Sequence, residues 1–380
     1  MAPLTPRERL LTALRHQEPD RIPLDLGSFV STIEAIPFED LKRYLGKKWK
    51  TQCFLRDHVE VPEELLIQWG IDTRYVRLKP PKKWKKVIEP DNSFVDEWGT
   101  RWKKPPGSPY WDPVGHPLKR ATIEDLEKYP WPDPDDPGRT EGLREEAKRL
   151  RESTNYAIVA DGPFLGIFEA SWVCLCGPEK FFTDLVLDKP FVRALFDKII
   201  DIQIRIMKHY LEAVGDLIDV IIVGDDLGGE NGPLISPAMY RELVKPYHQR
   251  LWSFIKKNTP ADLFLHCCGS ITPFIPDLIE LGVDIINPVQ VAAKDMDPKM
   301  LKAKFGDRLT FWGGIDTQRV MPYGTPDEVE EEVKRRIADL APGGGFVLTS
   351  VHNIQPGVPP QNIVRMYEAA LKYGRYPIRI

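Results

Sequence analysis

Along this chain, short runs of uninterrupted apolar residues alternate with longer segments in which apolar residues recur every three or four positions. The short runs are YAIVADG (156–162), IDVIIVGDDLG (218–228), DLFLHCCG (262–269), VDIINPVQ (283–290), LTFWGG (309–314) and GFVLTSVHNI (345–354). Their length and β-branched content predict strands buried on both faces. The segments between them include 178–187, 189–214, 236–258, 271–282, 297–306, 325–344 and 359–374, and their spacing predicts amphipathic helices. Ser236 followed by Pro237 is a helix start signal, as is Thr5 followed by Pro6 for a helix over 5–17. RIPLDLG (21–27) predicts a further strand, and residues 139–153 a charged, exposed helix. Strands alternating with helices imply parallel βα units. About eight strands from residue 21 onward predict a (β/α)8 TIM barrel, in the α/β class. An open doubly wound sheet would carry a glycine-rich first turn, and the chain has neither G-x-G-x-x-G after a strand nor a Walker sequence.

One stretch breaks the alternation. Prolines and tryptophans crowd into KPPKKWKK, DEWGTRWKKPPGSPYWDP and KYPWPDPDDPG. Proline at this density excludes long helices, and the aromatic residues argue for an ordered segment. The chain is therefore expected to be one domain over 1–380, with residues 75–137 as a Pro/Trp-rich insertion packed on the barrel. Hydrophobic residues make up 42%, charged residues 28%, and the net charge is -4, which excludes the basic footprint of a nucleic-acid binder. No apolar stretch approaches the ~20 residues of a membrane span, and the N-terminus lacks the apolar centre of a signal peptide. Five cysteines in a chain of this length point to reduced thiols and a cytoplasmic location. The sequence is compatible with a homo-oligomer.

In such barrels the chemistry gathers at the C-terminal strand ends. Those ends carry Asp25, Asp161, Asp225 with Asp226, His266 with Cys268, Asn287, Trp312 and His352. Alternate residues of a strand share a face, so His266 and Cys268 can point at one ion, and His352 at another strand end can be a third ligand. Three protein ligands with an open fourth position is the catalytic zinc arrangement. The alternative is a core thiol beside a hydrogen-bonded histidine. Cys174 and Cys176 share the spacing but have no histidine nearby and are expected to be buried thiols; Cys53 is expected to be inert. Asp225 and Asp226 either orient a substrate or a ligand histidine, or cap a turn. Glu169 is either a labile fourth ligand or general acid, or a helix cap. Tryptophans 98, 102, 111, 131 and 172 either wall an aromatic pocket or belong to the core.

The segments RERLLTALRHQEPDRIPLDLG, GDDLGGENGPLISPAMYRELVKPYHQRLWSFIKK, HCCGSITPFIPDLIELGVDIINPVQ, LTFWGGIDTQRVMPYGTPDEVEEEV and GGGFVLTSVHNIQPGVPPQNIVRMYEAALKYG resemble the uroporphyrinogen decarboxylase superfamily over nearly the whole chain outside the Pro/Trp-rich stretch. The resemblance implies a distorted TIM barrel and one of two chemistries. True decarboxylases carry an arginine-rich segment after the first strand and an aspartate in an SDIL-like segment. Here the first strand leads into LDLGSFVSTIEA, which has no arginine, and Asp72 is only a loose counterpart of the aspartate. The cobalamin-dependent methyltransferase branch carries zinc on a His-x-Cys pair and a later cysteine. His266 and Cys268 match the pair, and His352 stands where the cysteine falls. The chain thus looks closer to the methyltransferase branch. The resemblance implies zinc held by His266 and Cys268, with His352 as the third ligand, and a small methyl donor or acceptor. The abundant aromatic residues favour a methoxylated aromatic, and Asp226, Glu169 and Asp25 at or near the strand ends are the expected catalytic residues. The resemblance also implies a corrinoid (cobalamin) carried by a separate protein, because the chain has no D-x-H-x-x-G corrinoid-binding sequence. The alternative it leaves is a metal-free decarboxylase.

Overall fold

The structure, a computed structural model, describes residues 3–108, 110–162 and 165–380. Seven parallel strands form one curved sheet: β1 (Thr73–Arg77), β2 (Ala157–Asp161), β3 (Val220–Gly224), β4 (Asp262–His266), β5 (Ile285–Asn287), β6 (Thr310–Trp312) and β7 (Phe346–Val347). Each pairs in register with the next, as in His266 opposite both Gly224 and Asn287. Residues 21–26 occupy the eighth position and close the barrel. Leu24 bridges Leu348 in parallel, Asp25 N–H donates to the Leu348 carbonyl (3.1 Å), and Asp72 N–H donates to the Leu24 carbonyl (2.9 Å). This segment is not a regular strand because Pro23 has no N–H to give the ladder.

β1 is the strand that the hydrophobic pattern does not single out. Its sequence, TRYVR, is polar at alternate positions. Residues 75–77, expected at the start of the insertion, are its last three and pair with Val159–Asp161 of β2.

The barrel interior is a small apolar cluster of Ala157, Val159, Val220, Ile222, Phe264, Ile285, Trp312 and Val347, plugged by Leu10 of helix α1 (Pro6–Leu14). The intervening residues, such as Ile158, Ile221, Leu263, Leu265 and Ile286, belong to the larger core between sheet and helices. That parity carries to the strand ends: Asp161, His266 and Asn287 each follow an interior residue by two and share its face. Helix α1 starts at Thr5 with a reciprocal capping box to Glu8 and lies under the N-terminal strand ends, where Arg7 pairs with Asp219 at 2.9 Å.

Two wide π-helical turns stand near the C-terminal end. One, Ala170–Leu175, continues the short helix Ile167–Glu169. The other, Tyr240–Val244, precedes Pro246 in the helix Lys245–Asn258 and absorbs the clash its ring would make with the preceding turn. The Pro/Trp-rich stretch contains a three-stranded antiparallel sheet, Ser93–Val95, Arg101–Lys103 and Asp112–Gly115. It leans on the loops at the barrel's C-terminal end: Thr100 Oγ1 donates to the Cys174 carbonyl (3.1 Å), and Tyr110 OH donates to Gln355 (3.0 Å). Trp102 is buried in the main core, with Trp98, Trp111, Trp131 and Trp172 packed against it. Among the described residues no helix is long and apolar enough to cross a membrane.

Candidate metal centre

His266 ends β4 and faces the barrel interior. Its Nδ1 lies 2.6 Å from Asn287 Oδ1, while Asn287 Nδ2 donates to the Trp312 carbonyl at 2.9 Å. The second bond fixes the amide, so its oxygen must accept from Nδ1–H. The Nε2 lone pair is thereby left for another partner, and Cys268 Sγ is 3.3 Å from it. The His352 ring stands 5.4 Å from the His266 ring, and its Nδ1 is buried with no hydrogen-bond partner among the described residues. One ligand atom from each of His266, Cys268 and His352 lies within 4.8 Å of the others. A nitrogen donor with its tautomer set, a sulfur beside it and an orphaned imidazole nitrogen fit a borderline-soft divalent cation, and zinc takes this donor set with a place to spare.

The local electrostatics fit as well. Burial lowers both imidazoles to about 4, with mutual repulsion adding to the effect at His352, so both are neutral ligands near pH 7. Burial, reinforced by the nearby Asp226 carboxylate, holds the Cys268 thiol well above its ordinary range. A cation at the site would reverse that effect.

Asp226 accepts the Cys268 backbone N–H at 2.7 Å. Burial raises its affinity for a proton, and burial together with Asp226 and Asp225 raises that of Glu169 much further. Of the two carboxyls, Glu169 is thus the one whose surroundings favour the protonated form more. Asp225 does different work. It accepts the backbone N–H groups of Phe168 (3.1 Å) and Glu169 (2.7 Å), and its Oδ2 is 2.8 Å from His248 Nε2. It thus fixes the helix start that carries Glu169. Gly166 is required there, since a Cβ would lie 2.2 Å from the Asp225 carboxyl carbon.

The structure brings together five of the six expected site residues: His266, Cys268, His352, Asp226 and Glu169. Asp25 stands apart. Its carboxylate accepts from Ser31 Oγ (2.7 Å), Thr73 Oγ1 (2.6 Å), Trp312 Nε1 (3.0 Å) and Tyr75 OH, which occupies it fully inside the barrel wall. Asp161 is buried beside Arg77 with one oxygen unpartnered among the described residues, and burial pushes it up to about 7. Asp72 lies at the opposite, N-terminal end, bound by Arg9 (2.6 Å) and Arg21 (2.8 Å). Cys174 and Cys176 are buried thiols, the latter pushed up to about 12 by burial, and Cys53 is exposed. A cleft of about 430 Å³ on the flank of the barrel, lined by Trp49, Glu60, Arg74 and Arg149, touches none of the metal-capable residues. The sequence pattern assigns no role to Asn287; its place opposite His266 depends on strand register.

Comparison with known proteins bears on the family and the fold. The profile of the uroporphyrinogen decarboxylase (URO-D) family matches residues 107–373. A uroporphyrinogen decarboxylase of Pseudoalteromonas atlantica is 23% identical over 67% of this chain and 69% of its own. A methylcobamide:CoM methyltransferase of Methanosarcina mazei, MtbA, is 26% identical over 68% of this chain and 71% of its own. A solved methyltransferase structure from Methanosarcina mazei superposes with a TM-score of 0.62 at 20% identity, covering 97% of this chain and 99% of that one.

Proposed function

From the premise that the chain belongs to the uroporphyrinogen decarboxylase (URO-D) family, we propose that it is a zinc-dependent methyltransferase. It moves a methyl group between a small methylated substrate and the cobalt of a corrinoid carried by a separate protein. The observation that carries this reading is the convergence of His266 Nε2, Cys268 Sγ and a His352 nitrogen, with Asn287 fixing the first of them. Bound there, zinc would supply Lewis acidity to the oxygen or sulfur of the substrate. The protein's own groups do the rest. His266, Cys268 and His352 leave a fourth position free. Asp226 holds the Cys268 backbone. Glu169, whose burial beside Asp226 and Asp225 favours its protonated form, gives a proton to an oxygen that gains charge as its bond to methyl breaks. Asp25 acts by positioning, tying residues 21–26 to β1 and β6.

Metal analysis of protein purified without chelator tests this. Wild type is expected to hold about one zinc per chain, and His266→Ala or Cys268→Ala to lose both zinc and methyl transfer to a corrinoid protein. A metal-free wild type that releases carbon dioxide from uroporphyrinogen would replace this reading with the decarboxylase one.

A further inference from the structure

Arg56, at the mouth of the barrel, is a guanidinium that makes neither an ion pair nor a hydrogen bond among the described residues, although Asp96, Asp57 and Glu169 lie within electrostatic reach. It sits at the tip of the hairpin Cys53–Leu55/His58–Val59, with its backbone in the left-handed region (φ 44°). Non-glycine residues adopt that conformation only where the surroundings enforce it. Here His58 enforces it. Its Nδ1–H donates to the Leu55 carbonyl (3.0 Å), and its Nε2 accepts from Asn353 Nδ2 (2.8 Å). Asn353 directly follows His352, so the loop that carries the third metal-capable residue also holds this hairpin. Lys104 of the insertion adds an ion pair to Asp57 at 2.7 Å.

The Arg56 guanidinium carbon lies 3.8 Å from the centroid of the Trp102 ring. One face of the fork is therefore covered. Only half-buried, it finds among the described residues no group that accepts a hydrogen bond from it. The acids around it are committed elsewhere. Asp96 accepts from Trp102 Nε1 (2.7 Å) and from the backbone N–H groups of Trp98 and Thr100 (both 2.9 Å). Asp57 is taken by Lys104. The shape left open, a planar fork of N–H groups on an aromatic face, is the one that grips a carboxylate with two bonds.

We propose that Arg56 recognises an anionic head group on the small substrate, so that the molecule taken is a methylated organic acid with its carboxylate on Arg56 and its methyl-bearing atom toward His266, Cys268 and His352. This deepens the methyltransferase reading and rests on it for the second half of that placement.

The test reads binding, so that it stands apart from turnover. 4-Methoxybenzoate, 4-methoxybenzenesulfonate and neutral methoxybenzene are titrated calorimetrically into wild type, R56K and R56Q, each with and without added zinc. The expected result is at least tenfold tighter binding of methoxybenzoate than of methoxybenzene to wild type. R56Q should lose that preference while keeping its zinc content, which shows that its fold is intact, and R56K should keep part of it. Sulfonate binding equal to carboxylate supports the anion site with charge as the selector. Equal affinity for charged and neutral probes in wild type, or an unchanged preference in R56Q, overturns the proposal and leaves the guanidinium merely hydrated. If the preference for the anion persists in protein that neither binds zinc nor transfers methyl, the methyltransferase reading fails and the anion site stands.

Discussion

At the scale of single residues, the centre depends on how one imidazole is held. Asn287 accepts from His266 Nδ1–H and leaves Nε2 for the metal. Asn287→Ala is expected to weaken zinc binding by about 10- to 100-fold without unfolding the protein, since the partner that orients a metal-binding histidine contributes on that order; competition with a chromophoric chelator measures it, and unchanged affinity would remove Asn287 from the site. The pH dependence follows from the same residues. His266 and His352, lowered to about 4, are neutral between pH 6 and 8, each with one ring nitrogen free of a proton, whereas the Cys268 sulfur is protonated. Zinc must displace that proton, so affinity rises with pH, by about tenfold per pH unit for one proton released. Calorimetry in buffers of different ionisation enthalpy counts the protons; Cys268→Ser should remove the dependence, and a flat profile in wild type would exclude the thiol as ligand. The His-x-Cys pair was legible in the sequence because alternation along one strand places both on one face. Asn287 was legible as a strand end but not as the partner of His266, and Arg56 was not legible at all, because a register between neighbouring strands and a hairpin tip are not written in local spacing.

At the scale of elements, continuous apolar runs betrayed six of the barrel strands. β1 escaped because Thr73, Tyr75 and Arg77 turn polar groups inward, toward Asp25 and Asp161. The segment 21–26 was legible as a strand, but Pro23 reduces it to a bridge. The clearest elemental prediction concerns Asp72, just before β1, where two arginines surround a fully buried carboxylate. Asp72→Asn should lower stability by about 3–5 kcal/mol, because Arg21 loses its counter-charge and Arg9 keeps only Asp20. A large fall in the urea midpoint with zinc content unchanged is the expected pair of results. Zinc loss without destabilisation would tie Asp72 to the chemistry instead. At the first helix, Thr5→Ala removes a cap and should cost about 1 kcal/mol, seen as a small shift of the same midpoint.

At the scale of the whole molecule, strand–helix alternation was enough to foretell a closed barrel, and closure is what gathers the ends of β3, β4 and the loop after β7 around one point. The arrangement of the Pro/Trp-rich stretch was not legible, because its anchors join residues far apart in sequence, Thr100 to Cys174 and Tyr110 to Gln355. X-ray absorption at the zinc edge, on protein loaded with one equivalent, addresses the central claim most directly. The account predicts one sulfur at about 2.3 Å and two imidazole nitrogens at about 2.0–2.1 Å, with one further light atom. A zinc shell without sulfur, or one built of several sulfurs, would contradict it.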